Sequence, residues 1–122
     1  MGIRRFPKTV CTLAAGVIQT VWPAQTASDT NNYARVSRFR SLSFIVVNTG
    51  GANAVTASSI QGAGSDADTF TAILTDTLLP AVTATAIDSL NMQDHGMPDH
   101  AKLRLTSTNG TSVEITVIGE EA

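Results

Sequence analysis

The sequence predicts an all-β protein: an antiparallel β-sandwich, jelly-roll or Ig-like, of about eight short strands behind an extended N-terminal arm. Three observations carry that prediction. Apolar and polar residues alternate with period two in one segment after another, and turn residues separate these segments about every ten positions. No 3.6-residue periodicity lasts long enough to require a helix.

The chain of 122 residues has the length of one domain and can bury a core without disulfides or metals. The reading is an arm at 1–8 and a single sandwich at 9–122. Hydrophobic residues make up 43% but only six residues are aromatic, so the core must come from Val, Ile, Leu and Ala. Two sheets about 10 Å apart suit such small side chains.

Taken in order, Thr9 to Leu13 and Gly16 to Trp22 read as two strands around Ala14-Ala15-Gly16, and Pro23 ends the second. Ala24 to Asn32 is polar and reads as a long loop. Phe39 to Val47 is the strongest strand. Its Leu42, Phe44 and Val46 share one face while Ile45 and Val47 make the other apolar, as in a central strand or one covered on both sides. A turn cluster, Asn48 to Asn53, precedes a small-residue strand from Ala54 to Gln61, and Gly62-Ala63-Gly64-Ser65-Asp66 turns the chain again. Alternation then predicts strands at Thr69 to Thr75 and Val82 to Ala86, followed by a loop from Ser89 to Pro98. Finally, Lys102 to Thr106 and Ser112 to Val117 flank Asn109-Gly110 and predict a β-hairpin, because Asn and Gly tolerate the positive φ of a type I′ turn. That pattern puts Leu103, Leu105, Val113, Ile115 and Val117 on one face, with Lys102, Arg104, Glu114 and Thr116 facing water or a partner.

The net charge of −2 hides a segregation. Residues 1–40 carry Arg4, Arg5, Lys8, Arg35, Arg38 and Arg40 against Asp29, a net of +5, and residues 41–122 carry −7. Complementary charge between neighbouring copies is one reading and plain solvation the other. The basic third lacks the interleaved aromatics that stack on bases, so no nucleic-acid partner is expected. Arg4, Arg5 and Lys8 ahead of the apolar stretch Val10 to Ala24 imitate a secretory leader. Thr12, Gln19 and Thr20 interrupt that stretch and Pro7 sits near its start. The arm is therefore expected to be kept, in a protein made in the cytoplasm, and no membrane partner is expected.

Reactive constellations are thin. Cys11 is the single cysteine, sits between Val10 and Leu13, and is expected to be buried rather than nucleophilic. His95 and His100, with Asp94 and Asp99, are the densest set of potential metal ligands, yet their spacing fits neither a zinc finger nor a hydrolase helix. Asp66 and Asp68 could seed a calcium site, but the twelve-residue loop with its terminal Glu is missing. Both loops read as solvated turns, and no metal or other cofactor is assigned. No Ser lies in a nucleophile elbow and no carboxylate pair sits among aromatics, so no enzymatic activity is expected. Trp22 is a core or interface anchor.

The runs Phe39-Arg40-Ser41-Leu42-Ser43-Phe44-Ile45-Val46-Val47-Asn48-Thr49-Gly50 and Arg104-Leu105-Thr106-Ser107-Thr108-Asn109-Gly110-Thr111-Ser112-Val113-Glu114-Ile115 resemble small β-sandwich virion proteins of tailed bacteriophages. The resemblance covers roughly residues 39–119 and lies in texture: Thr/Ser/Ala-rich strands, Asn-Thr-Gly turns and a hydrophobic last strand. It implies a non-enzymatic virion protein, a capsid decoration protein bound to the shell as a homo-oligomer. Its partners would be the major capsid protein or other virion proteins; no functional residue carries over from the resemblance, and the candidate contact residues, Arg4, Arg5 and Lys8 of the basic arm with Trp22, come from the charge pattern and the scarcity of aromatics. A tail or head–tail junction protein is the alternative within that family, and a lectin-like or calcium-binding module using the Asp66–Asp68 or His95–His100 loop is the alternative outside it.

Overall fold

The computed structural model describes residues 2–23, 33–50, 53–64, 70–76, 85–91 and 97–121. Ten strands run through them: β1 (Ile3–Arg5), β2 (Thr9–Leu13), β3 (Gln19–Trp22), β4 (Ala34–Arg35), β5 (Phe39–Asn48), β6 (Ala57–Ala63), β7 (Thr71–Asp76), β8 (Thr85–Asn91), β9 (His100–Thr106) and β10 (Thr111–Glu121). All their pairings are antiparallel.

Two five-stranded sheets result. Sheet 1 has the order β1-β10-β5-β8 with β2 also on β10, and sheet 2 the order β3-β9-β6-β7 with β4 also on β9. β1 and β2 share one edge of β10, as β3 and β4 share one edge of β9, so each pair is one broken edge strand. Merging them leaves eight strand positions, ordered first-eighth-third-sixth in one sheet and second-seventh-fourth-fifth in the other. That is the jelly-roll order, and it decides between the two sandwich types the sequence allowed.

The first break has a local cause. From Arg5 to Thr9 the edge advances four residues while its partner moves three, from Ile118 to Ile115, so one residue is extra there. Pro7 lies inside this bulge, where a missing N–H costs no ladder bond. Residues 3–5, expected within the extended N-terminal arm, are thus a strand on the chain's own last strand. Phe6 continues the pairing by donating its N–H to Val117 O at 2.9 Å.

Side chains alternate as period two requires on β10, where Thr111, Val113, Ile115, Val117 and Gly119 are buried and the residues between them are half-buried. Phe39, Leu42, Phe44 and Val46 of β5 meet them from the neighbouring strand. Sheet 2 closes the core with Val21, Trp22, Ile60, Ala101, Leu103 and Leu105. Trp22 stacks edge-on against Phe44 at 5.3 Å and Phe6 at 5.5 Å, joining the two sheets and the N-terminal edge. The absent Cβ of Gly119 makes room for Phe39, whose ring would stand 2.6 Å from it.

The last two strands correct the expected hairpin. β9 pairs with β3, β4 and β6, β10 with β1, β2 and β5, and the turn at Ser107 to Gly110 crosses from one sheet to the other. Gly110 does take the positive φ, +84°. Apolar alternation plus Asn-Gly specifies a tight reversal with one inward face, and strands on opposite sheets of a sandwich satisfy both conditions without pairing. A side-chain network holds that end together. Buried Asn48 accepts from Thr111 Oγ1 (2.8 Å) and Gly50 N (3.0 Å) and donates to Asn53 O (2.8 Å), while Asn53 donates to Gly110 O (2.8 Å).

Other boundaries also move. β6 runs to Ala63 and starts at Ala57, later than expected, and Ser89 to Asn91, expected to open a loop, belong to β8, which continues along β5. β4 was not foreseen: two residues, Ala34 and Arg35, pair with Ala101 and His100. The loop expected at Ala24 to Asn32 lies outside the described residues.

Candidate functional site

Two surfaces remain once the core is assigned, the outer faces of the two sheets. On sheet 1 the outward residues are Val10 and Thr12 of β2, Ser112, Glu114, Thr116, Ile118 and Glu120 of β10, and Ser43, Ile45 and Val47 of β5. Register places Val10 and Val47 on either side of Glu114, Ile45 beside Thr116 and Ser43 beside Ile118, so apolar side chains of three strands are interleaved with polar ones. Val10 is 65% exposed and Ile3, further along the same edge, 76%.

Ion pairs fringe this face. Lys8 Nζ lies 3.2 Å from Glu114 Oε1, Arg38 Nε 3.7 Å from Glu121 Oε2, and Arg40 pairs with Glu120. The opposite charges of the two chain segments therefore meet within the molecule, tying β10 to the edge and to β5. The six side chains are between 34% and 55% exposed, so each pair contributes at most about 1 kcal/mol. Arg4 instead lies over the Phe6 ring, 4.9 Å from its centroid, and both Arg4 and Arg5 are exposed.

Sheet 2 differs. Lys102, expected to face water or a partner, is only 5% exposed: its ammonium sits 4.3 Å from the Phe70 ring centroid. His100, two residues earlier, is 4% exposed beneath Tyr33 at 4.9 Å, and Tyr33 in turn touches Phe70 at 5.8 Å. Further along the same face a hollow of about 190 Å³ opens between Ile18, Ala57, Ser58, Ser59, Arg104 and Thr106. Nothing in the sequence marks it, since its walls come from the β2–β3 turn and two strands distant in the chain.

The sequence-derived candidates fall in different places. Trp22 is a core residue, 3% exposed. Cys11 is buried as expected and donates weakly to Val21 O at 3.8 Å, and burial pushes its thiol up to about 11, well away from a reactive thiolate. His100 is buried apart from Asp99, which is exposed, and His95, Asp66 and Asp68 lie outside the described residues. Among the described residues no group of three or more His, Cys, Asp or Glu is placed to hold a metal ion. Also among them, no helix is long and apolar enough to cross a membrane.

No protein-family description matches this chain, and no curated protein does. Solved structures do. A chain of the Bacillus endospore appendages, described as a novel family of disulfide-linked pili, aligns with 98% of this chain and 89% of its own length at 10% identity, TM-score 0.49. A chain of infectious bursal disease virus, Gx strain, aligns with 98% of this chain at 12% identity, TM-score 0.52, and this chain spans 32% of its length. At such identity the likeness to the viral chain is one of fold.

Proposed function

We propose that this protein is a non-enzymatic structural component that works as a homo-oligomer in an assembled particle, as a capsid decoration protein of a tailed bacteriophage. The observation that carries the reading is the N-terminal edge of sheet 1. There, Ile3 and Val10 stand exposed beside Arg4 and Arg5, next to an outer face whose Ile45, Val47 and Ile118 are half-buried and whose ion pairs are closed within the chain. Exposed apolar side chains at a sheet edge, beside charges that are paired within the chain, suit another protein surface rather than a charged polymer. The jelly-roll fold, shared with a viral chain, is in keeping with that role by analogy of fold only. In this reading Arg4 and Arg5 engage acidic groups of the major capsid protein or another virion protein, while Lys8 holds the edge in place through Glu114.

Light scattering on the purified chain tests the first half. The wild type is expected as an oligomer, and Ile3→Asp with Val10→Asp as a monomer of unchanged melting temperature. A wild type monomeric at all concentrations would end the oligomer reading. Copy number on particles tests the second half: hundreds place the protein on the shell, six or twelve at the tail or head–tail junction.

A further inference from the structure

We propose that two copies of the chain join by pairing their β1 strands antiparallel across a two-fold axis at Ile3, with Arg4 of each copy reaching Glu121 of the other. The inference rests on the oligomer reading above and gives it a register. Glu121 N donates to Gly2 O and Phe6 N to Val117 O, and the pair Arg4 and Gly119 lies midway between these two bonds. Hydrogen bonding alternates along an antiparallel ladder, so Gly2, Arg4 and Phe6 direct their main-chain groups to β10, while the N–H and C=O of Ile3 and Arg5 point out of the sheet. β1 stands at the end of its sheet and all three of its residues are exposed, so this edge is open to another strand.

Charge selects the register. A two-fold axis at Ile3, Arg4 or Arg5 brings outward groups onto outward groups, but an axis at either arginine lays that arginine directly on its own image, where like charges repel. An axis at Ile3 lays Ile3 on Ile3 and Arg4 opposite Gly2 of the other copy. Gly2 has no side chain to stand between the incoming guanidinium and Glu121, its own partner on β10. Glu121 Oε2 faces Arg38 at 3.7 Å, whereas Oε1 leans over Gly2 so closely that a Cβ there would stand 3.0 Å from it. One carboxylate oxygen is thus held toward Arg38 and the other is presented at the edge. Opposite residues of paired strands have Cβ atoms about 4.5–5.5 Å apart, a gap an arginine stem spans to reach that oxygen. Within its own chain Arg4 lies over the Phe6 ring and has no carboxylate partner among the described residues. Arg4 then belongs to the oligomer, and Arg5, on the outer face with Ile3, to the virion partner.

Single cysteines on the exposed β1 test the register in the full chain. Ile3→Cys places two thiols on residues that face each other as a hydrogen-bonded pair, with Cα atoms about 5.5 Å apart, a separation a disulfide bridges. Arg4→Cys and Arg5→Cys place them out of line, beyond about 7 Å. Mild oxidation should therefore give a disulfide-linked dimer with Ile3→Cys and none with the other two, and Cys11, being buried, does not compete. Charge reversal tests the ion pairs: Arg4→Glu should weaken association about tenfold, and adding Glu121→Arg should restore most of it. No cross-link at Ile3→Cys, a cross-link at Arg4→Cys or Arg5→Cys instead, or a double variant no tighter than Arg4→Glu alone would overturn the proposal. If the wild type still scatters light as an oligomer in that case, the oligomer reading stands without this register. A wild type monomeric at all concentrations ends both.

Discussion

The outer faces of the two sheets are built from the same kind of strand and end in opposite conditions. On β10 burial alternates residue by residue, so one side belongs to the core and the other lies open. On β9 four consecutive residues, His100 to Leu103, are buried, because Tyr33 and Phe70 from distant parts of the chain lie over the outer side. Sheet 2 is covered by its own chain at the His100 and Lys102 end, and in the proposed reading the face of sheet 1 is left for a partner. Burial on both sides of a strand thus reports a cover, and its absence from β10 is what the proposed assembly through sheet 1 rests on.

The comparison can be broken first at what the sheets share. Phe44 bridges them through Trp22, so Phe44→Ala should cost about 3–5 kcal/mol and lower both sheets in a single transition by chemical denaturation. Two separate transitions would mean that the sheets are not one core. At the ordered end, Asn48→Ala leaves the Gly50 N–H and the Thr111 hydroxyl without their acceptor and should cost about 2–3 kcal/mol by the same assay.

Alkaline titration probes the buried thiol. Cys11 rises from 9.0 in an open chain to about 11 in the fold, so the folded state holds its proton more tightly. That contribution is fully present below pH 9 and is lost as pH climbs through 11. The melting temperature should fall across that window in the wild type and less in Cys11→Ala, and thiol reagents should label Cys11 only on unfolding.

The smallest effects separate the faces directly. Lys102→Ala removes a stem packed under Phe70 and should cost about 1 kcal/mol, whereas Glu114→Ala, losing one exposed ion pair, should stay within about 0.5 kcal/mol. Equal costs would erase the distinction between a covered and an open sheet.

Much of the sandwich was legible from local pattern. The strand Thr9 to Leu13 lies where alternation put it, and Phe39 to Val47 is the central strand its two apolar faces announced. What local pattern carries is the inward side of each strand. It does not carry the partner, so Asn109-Gly110 marked a reversal correctly and a hairpin wrongly. It also missed the cover on Lys102, since Tyr33 and Phe70 are far from it in sequence. The charge segregation was visible as composition, but its meeting as Lys8 with Glu114 and Arg40 with Glu120 depends on β1, β2 and β5 flanking the last strand. The hollow beside Ser59 had no signature, because a turn and two paired strands that lie far apart in the sequence form it.

Hydrogen–deuterium exchange on the assembled protein, compared with the Ile3→Asp, Val10→Asp variant, tests the central claim most directly. Assembly should add protection along β1 and β2 and at the neighbouring residues of β10 and β5, and leave β9 as it is in the variant. Added protection on β9 with none along β1 and β2 would place the interface on the wrong sheet and contradict the account.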